Sequence, residues 1–123
     1  MSMFSRNVRS GASPEMMAKR LLAKSNYDLV AMEMIGQDPE MYGVEYVVLG
    51  VNPYSVWDQN QYATWILMDW SHHPGESGRG ATLSRGDYQI PNNEARRQFE
   101  MRVQKERRAG DWVMPDTDFI LYR

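Results

Sequence analysis

The chain reads as an α+β domain: a small antiparallel sheet with a short aromatic helix, flanking N- and C-terminal helices and extended arms. Three observations predict this. Leu29–Ile35 and Gly43–Val51 are runs rich in aliphatic and β-branched residues, parted by turn formers from Gly36 to Pro39. That connection is far too short for a helical crossover, so the two strands pair antiparallel. Start and stop signals for helices stand on either side of them, and the apolar content outside the sheet falls in segments too short to fold alone.

The first helix starts at Ser13, an N-cap, with Pro14 at the first helical position and Glu15 favoured by the positive end of the helix dipole. Met17, Ala18, Leu21 and Leu22 share one face, and Asn26 closes the segment. Asn52-Pro53 ends the second strand. Asp58 then caps a short helix from about Gln59 to Trp70, with Tyr62, Trp65, Ile66 and Asp69 on one face at helical spacing. Residues 71–91 hold Gly75, Gly78, Gly80 and Gly86 and read as an exposed loop. Asn92 or Asn93 caps a third helix through Ala109, with Gly110 as its stop. Its apolar stripe is thin: Ala95, Phe99 and Val103. The tail DWVMPDTDFILYR is aromatic and apolar and needs a surface to lie on. The chain divides into a basic arm and helix (1–26), sheet and aromatic helix (27–74), loop (75–91), and charged helix with apolar tail (92–123).

At 123 residues with 42% hydrophobic content, the chain has room for one domain and is not compositionally disordered. No apolar run approaches the roughly 18–20 residues of a membrane-spanning helix. The absence of cysteine excludes disulfides, thiolate nucleophiles and cysteine metal sites together. The ten methionines suit irregular cores and adaptable interfaces. Net charge is −2 but blocky: +4 over 1–26, −7 over 27–91, +3 over 92–110 and −2 over the rest. Such blocks fit a chain that meets different partners along its length. The Ser- and Arg-rich first dozen residues resemble an organelle-targeting segment and are expected to remain as a basic arm.

Chemistry-bearing constellations are sparse. His72 and His73 are neighbours, which point apart in either regular structure and rarely ligate one ion together. With Asp69 and Glu76 they form a conceivable metal or hydrolase site, against the plainer reading of a polar turn. GESGRGATLSRG lacks the spacing of a phosphate-binding loop and reads as surface. The helix NNEARRQFEMRVQKERR has a basic face that could meet RNA, diluted by Glu94, Glu100 and Glu106. The aromatic residues Trp57, Tyr62, Trp65 and Trp70 are either core or interface anchors.

Leu29-Val30-Ala31-Met32-Glu33-Met34-Ile35-Gly36-Gln37 resembles the L-V-G-x-D-x-x-G-N motif of the NADH dehydrogenase (ubiquinone) 1 alpha subcomplex subunit 12 family, which includes the assembly factor mimitin. Ala stands for Gly, Glu for Asp and Gln for Asn. Val44-Glu45-Tyr46-Val47-Val48 takes the place of the family's next strand. Tyr62-Ala63-Thr64-Trp65-Ile66 keeps its aromatic-x-x-Trp-aliphatic spacing, with Tyr62 for the first Trp, and Pro74 falls at the second closing proline, His73 at the first. The resemblance implies a non-catalytic accessory subunit of mitochondrial respiratory complex I, on the matrix side, packed against core subunits of the peripheral arm. It carries a partner-contact role to Tyr62, Trp65 and Ile66.

The aromatic and apolar segments extend that expectation to Trp57, Trp70, Trp112 and Phe119. No catalytic residue, cofactor, metal or small-molecule substrate is expected. Residues 1–12 and 111–123 are expected to be ordered mainly by other chains, because an isolated extended segment loses roughly 1–2 kcal/mol of backbone entropy per residue with little in return. Alternatives are an assembly factor of the same family, a supernumerary subunit of another large assembly, or a small RNA-binding module.

Overall fold

The capping signals at the first helix act as their chemistry requires. Ser13 is extended and its Oγ accepts the Met16 N–H at 3.2 Å, with Pro14 opening α1 (Pro14–Ala23). The computed structural model describes residues 13–40, 43–55, 59–70, 80–112 and 120–122, and for the last three the backbone alone. Met17, Ala18 and Leu22 are the buried face of α1.

Strands β1 (Asp28–Gln37) and β2 (Val44–Val51) pair antiparallel, as the short connection demands. The turn between them is held by the Asp38 N–H to the Gly43 carbonyl and by Asp38 Oδ1 accepting the Glu40 N–H. Then comes the first departure. Residues 59–70 do not form a helix: Tyr62–Asp69 is β3, an interior strand, paired antiparallel with β2 along its whole length. A second departure follows, because Ala81–Ile90, expected within a loop, is the edge strand β4. A three-residue 3-10 turn, Asn92–Glu94, leads into α2 (Ala95–Ala109). The sheet has five strands in the order β4-β3-β2-β1-β5, where β5 (Ile120–Tyr122) pairs with Glu33–Ala31 of β1.

The sheet is covered on both faces, which explains why β2 and β3 read as near-continuous apolar runs rather than alternating ones. On one face, Ala18 and Leu22 of α1 pack with Met32, Met34, Tyr46, Val48, Trp65 and Leu67. On the other, Ala95, Phe99 and Val103 of α2 pack with Ala31, Ile35, Val47, Leu49 and Ile66. Phe99 is fully enclosed, and burying such a ring contributes about 2–3 kcal/mol. The stripe Ala95, Phe99 and Val103 is therefore the helix's inner face, and Glu106 continues it.

The asparagines before α2 do other work than capping. The residue preceding the helix is Glu94, and no side chain caps it. Asn92 instead clasps the start of β3: its Oδ1 accepts the Gln61 N–H at 3.1 Å and its Nδ2 donates to Gln61 Oε1 at 3.0 Å. Gly110 is extended, so it stops the helix without the left-handed turn that favours glycine.

Strand β4 carries two irregularities. Register slips between its partners Tyr62 and Thr64, and again between Thr64 and Ile66. Each slip comes with a non-glycine residue at positive φ, Gln89 at 58° and Arg85 at 52°. A bulge inserts one residue and re-aims the side chains around it. Here it brings Arg85 to the α2 side of the sheet.

Candidate functional site

Buried charge gathers between α2 and the strands beneath it. Glu45 interrupts the apolar β2 and is 4% exposed; Glu106, on the inner face of α2, is 8% exposed. A carboxylate so enclosed must be paired or neutral. The two carboxyls are close enough for the charge of one to act on the other. Arg85 reaches both, with Nη2 at 3.6 Å from Glu45 Oε1 and 3.5 Å from Glu106 Oε1. The first distance is outside hydrogen-bond range, and Glu45 Oε1 has no hydrogen-bond partner among the described residues. Burial and then the Glu106 charge push the Glu45 carboxyl up to about 7, while Arg85 pulls the other way.

Arg102 completes this layer. Its Nη1 donates to Thr64 Oγ1 at 2.8 Å and its Nη2 to the Arg85 carbonyl. Two guanidinium contacts thus tie α2 to β3 and to the bulge of β4. Partial burial lowers the Arg102 pKa, with Glu106 opposing. Near the end of α2, Arg107 donates to the Met34 carbonyl at 2.8 Å and pairs with Glu33 Oε2 at 2.9 Å. A trough of about 580 Å³ lies above the Arg102 layer, between the outer side of α2 and β4. Arg85, Arg102, Lys105 and Arg108 supply its positive charge, and Asp87 and Glu106 its negative charge.

The aromatic residues expected to meet partners are placed differently from one another. Because 62–69 is a strand, Trp65 and Ile66 point to opposite faces, and both are buried. Trp65 packs edge-on to Tyr27 at 4.9 Å and to Tyr88 at 5.5 Å, and its Nε1 donates to Tyr88 Oη at 3.0 Å. Ile66 lies under α2. Neither offers a surface to another chain, so for these two the anchor role gives way to core packing. Tyr62 is half-buried against the α2 cluster. Trp70 is half-buried beside Gly43, where even an added Cβ would stand 3.0 Å from its ring. Trp112 packs on the same cluster as Tyr62 and donates from Nε1 to the Glu106 carbonyl at 3.0 Å. The first part of the tail is therefore seated on this chain's own core, and β5 on its own β1, where contacts with other chains had been expected. Trp57 and Phe119 lie outside the described residues.

Of the conceivable histidine site, Asp69 alone is described. It is buried on the α1 face, where burial first and the Asp69 charge second hold the Tyr46 phenol well above its ordinary range. His72, His73 and Glu76 lie outside the described residues, as do residues 1–12. Among the described residues no cluster of three or more His, Cys, Asp or Glu could hold a metal ion. Among them, too, no helix is long and apolar enough to cross a membrane.

Sequence reasoning passed over Glu45, Arg85, Arg102 and Glu106. A signal was present for two of them. A lone acid inside Val44–Val51 requires a partner, and Glu106 continues the Ala95, Phe99, Val103 spacing. No family model matches the chain, and no curated protein or solved structure matches it either.

Proposed function

We propose that this chain is a non-catalytic structural subunit that docks within a larger protein assembly through the outer side of α2. One observation carries this reading. The helix is fixed from within by Phe99 and Val103 and cross-linked to three strands by Arg102 and Arg107, while its outward side is a preformed basic trough with Met101 half-exposed. A surface already rigid loses little entropy when a partner arrives.

The specific assembly we propose is the peripheral matrix arm of mitochondrial complex I. The three pieces of the family resemblance fall in order on β1, β2 and β3, three neighbouring strands of the sheet. The resemblance then concerns the scaffold, with docking assigned to α2 in place of Trp65 and Ile66. Native-gel separation of detergent-solubilised membranes tests this directly. Co-migration of the chain with NADH dehydrogenase activity is the expected result. Migration in a different large complex keeps the subunit reading and removes complex I; migration as a small free species removes both.

A further inference from the structure

We propose that the trough between α2 and β4 seats an extended acidic segment of a protein partner, its carboxylates pairing with Arg102, Lys105 and Arg108. This rests on the docking role assigned to α2 above and names the chemistry of what docks.

Charge is the first argument. Four cations and two acids line the trough, so it carries an excess of two positive charges. Inside it, Glu106 is already answered by Arg85. Lys105 and Arg108 are exposed and make no ion pair among the described residues. Arg102 is held in place before any ligand arrives, by Thr64 Oγ1 and the Arg85 carbonyl. A guanidinium so positioned keeps further N–H donors in a fixed fork suited to a carboxylate. Partial burial disfavours its charge, and an approaching anion offsets that cost as Glu106 already does in part.

Shape is the second argument. The α2 residues of the lining run from Gln98 to Arg108, about 15 Å along a helix axis. An extended chain covers that length in about five residues and turns every second side chain to one side. Met101 is 51% exposed on this route and offers a pliable apolar contact. No aromatic side chain lines the trough among the described residues, and stacking platforms are what a single nucleic-acid strand needs.

The test uses the full chain and a labelled ten-residue peptide of alternating Glu and Ser, read by fluorescence anisotropy at low and moderate salt. Saturable binding that weakens with salt is expected, and a Lys–Ser peptide should not bind. The K105E/R108E double variant should bind the acidic peptide at least ten-fold more weakly, with an unchanged circular dichroism melt, since both side chains lie outside the core. Absence of saturable binding at low salt overturns the proposal. So does binding indifferent to the charge reversal, or tighter binding of a single-stranded RNA that the double variant loses. If the peptide fails while the chain still co-migrates with a large complex, this inference falls and the subunit reading stands. If the peptide binds and the chain migrates free, the assembly reading falls and the trough stands.

Discussion

Glu45 of β2 and Glu106 of α2 meet across the sheet–helix interface beside Arg85, whose Nη2 lies 3.6 Å from the first carboxylate and 3.5 Å from the second. Burial and the neighbouring Glu106 charge both favour the protonated form of the Glu45 carboxyl. Burial is the main cause, Glu106 the next, and Asp38 adds a smaller push; together they outweigh Arg85 and bring Glu45 to about 7, against an ordinary value of 4.5. Between those values the folded chain binds more protons than the unfolded one, so stability falls as pH rises. The contribution is complete below pH 4.5 and lost as pH rises through 7. It amounts to roughly 2–3 kcal/mol. Urea titrations at pH 5, 6.5 and 8 should show this decline, and Glu45→Gln should flatten it and be the more stable form at pH 8. An identical pH profile for the two proteins would show that Glu45 does not carry the dependence.

Arg107 makes the corresponding link at the other end of α2. It is 41% exposed, yet it pairs with Glu33, whose side chain is 11% exposed, and donates to the Met34 carbonyl. Arg107→Ala withdraws a cation from a nearly buried acid and a donor from a strand carbonyl. The expected loss is about 1–3 kcal/mol, below the full value for a buried pair because solvent reaches the arginine. Both contacts come from one nitrogen, Nη2, so Arg107→Lys should recover the charge but not the reach of the planar guanidinium, and so only part of the stability. Denaturant midpoints of the three proteins decide this, and a fully restored Lys variant would show that charge alone matters.

The parts of the fold legible in the sequence are those where local chemistry and tertiary packing agree. Ser13-Pro14 starts α1, Asp38-Pro39 follows β1 and opens the turn to β2, and the Ala95, Phe99, Val103 stripe faces the sheet. Residues 62–69 resemble a helix in sequence because Tyr62, Trp65, Ile66 and Asp69 fall at helical spacing. In an interior strand with a helix over each face, both sides are apolar and the period of two disappears. Strand β4 was hidden for the opposite reason. As an edge strand it is mostly exposed and polar, and its glycines and bulges resemble loop punctuation. The Glu45–Arg85–Glu106 cluster depended on that hidden strand, since no local pattern places Arg85 beside β2. The lone acid in β2 and the place of Glu106 on the apolar stripe of α2 were the signals in the sequence.

Trp65 shows how closely the α1 face is fitted. Its ring stands edge-on between Tyr27 and Tyr88, and its N–H is used by the Tyr88 hydroxyl. Trp65→Phe should lose about 1–3 kcal/mol, from one hydrogen bond and from the space the smaller ring leaves. The Tyr88 ring in turn lies over Gly86, where an added Cβ would come within 2.5 Å of the hydroxyl. Gly86→Ala should therefore displace Tyr88 from Trp65. The two changes touch one contact, so their combined loss in thermal melts should be less than the sum. Strict additivity would mean that Gly86 acts elsewhere.

The tail strand gives the last expectation. Ile120–Tyr122 covers the outer edge of β1 at Ala31–Glu33, and Trp112 packs on the core cluster that holds Phe99. Unpaired strand edges invite pairing with other chains. Removing residues 120–123 should accelerate amide hydrogen exchange of β1 at those positions bonded to β5, while β2, paired on both sides within the sheet, stays protected. The truncated chain should also self-associate more readily, seen as a higher mean mass by light scattering at matched concentration. If β1 exchange is unchanged on truncation, the tail adds no protection to that edge, and its ordering must come from a partner chain, as the apolar composition of the segment first suggested.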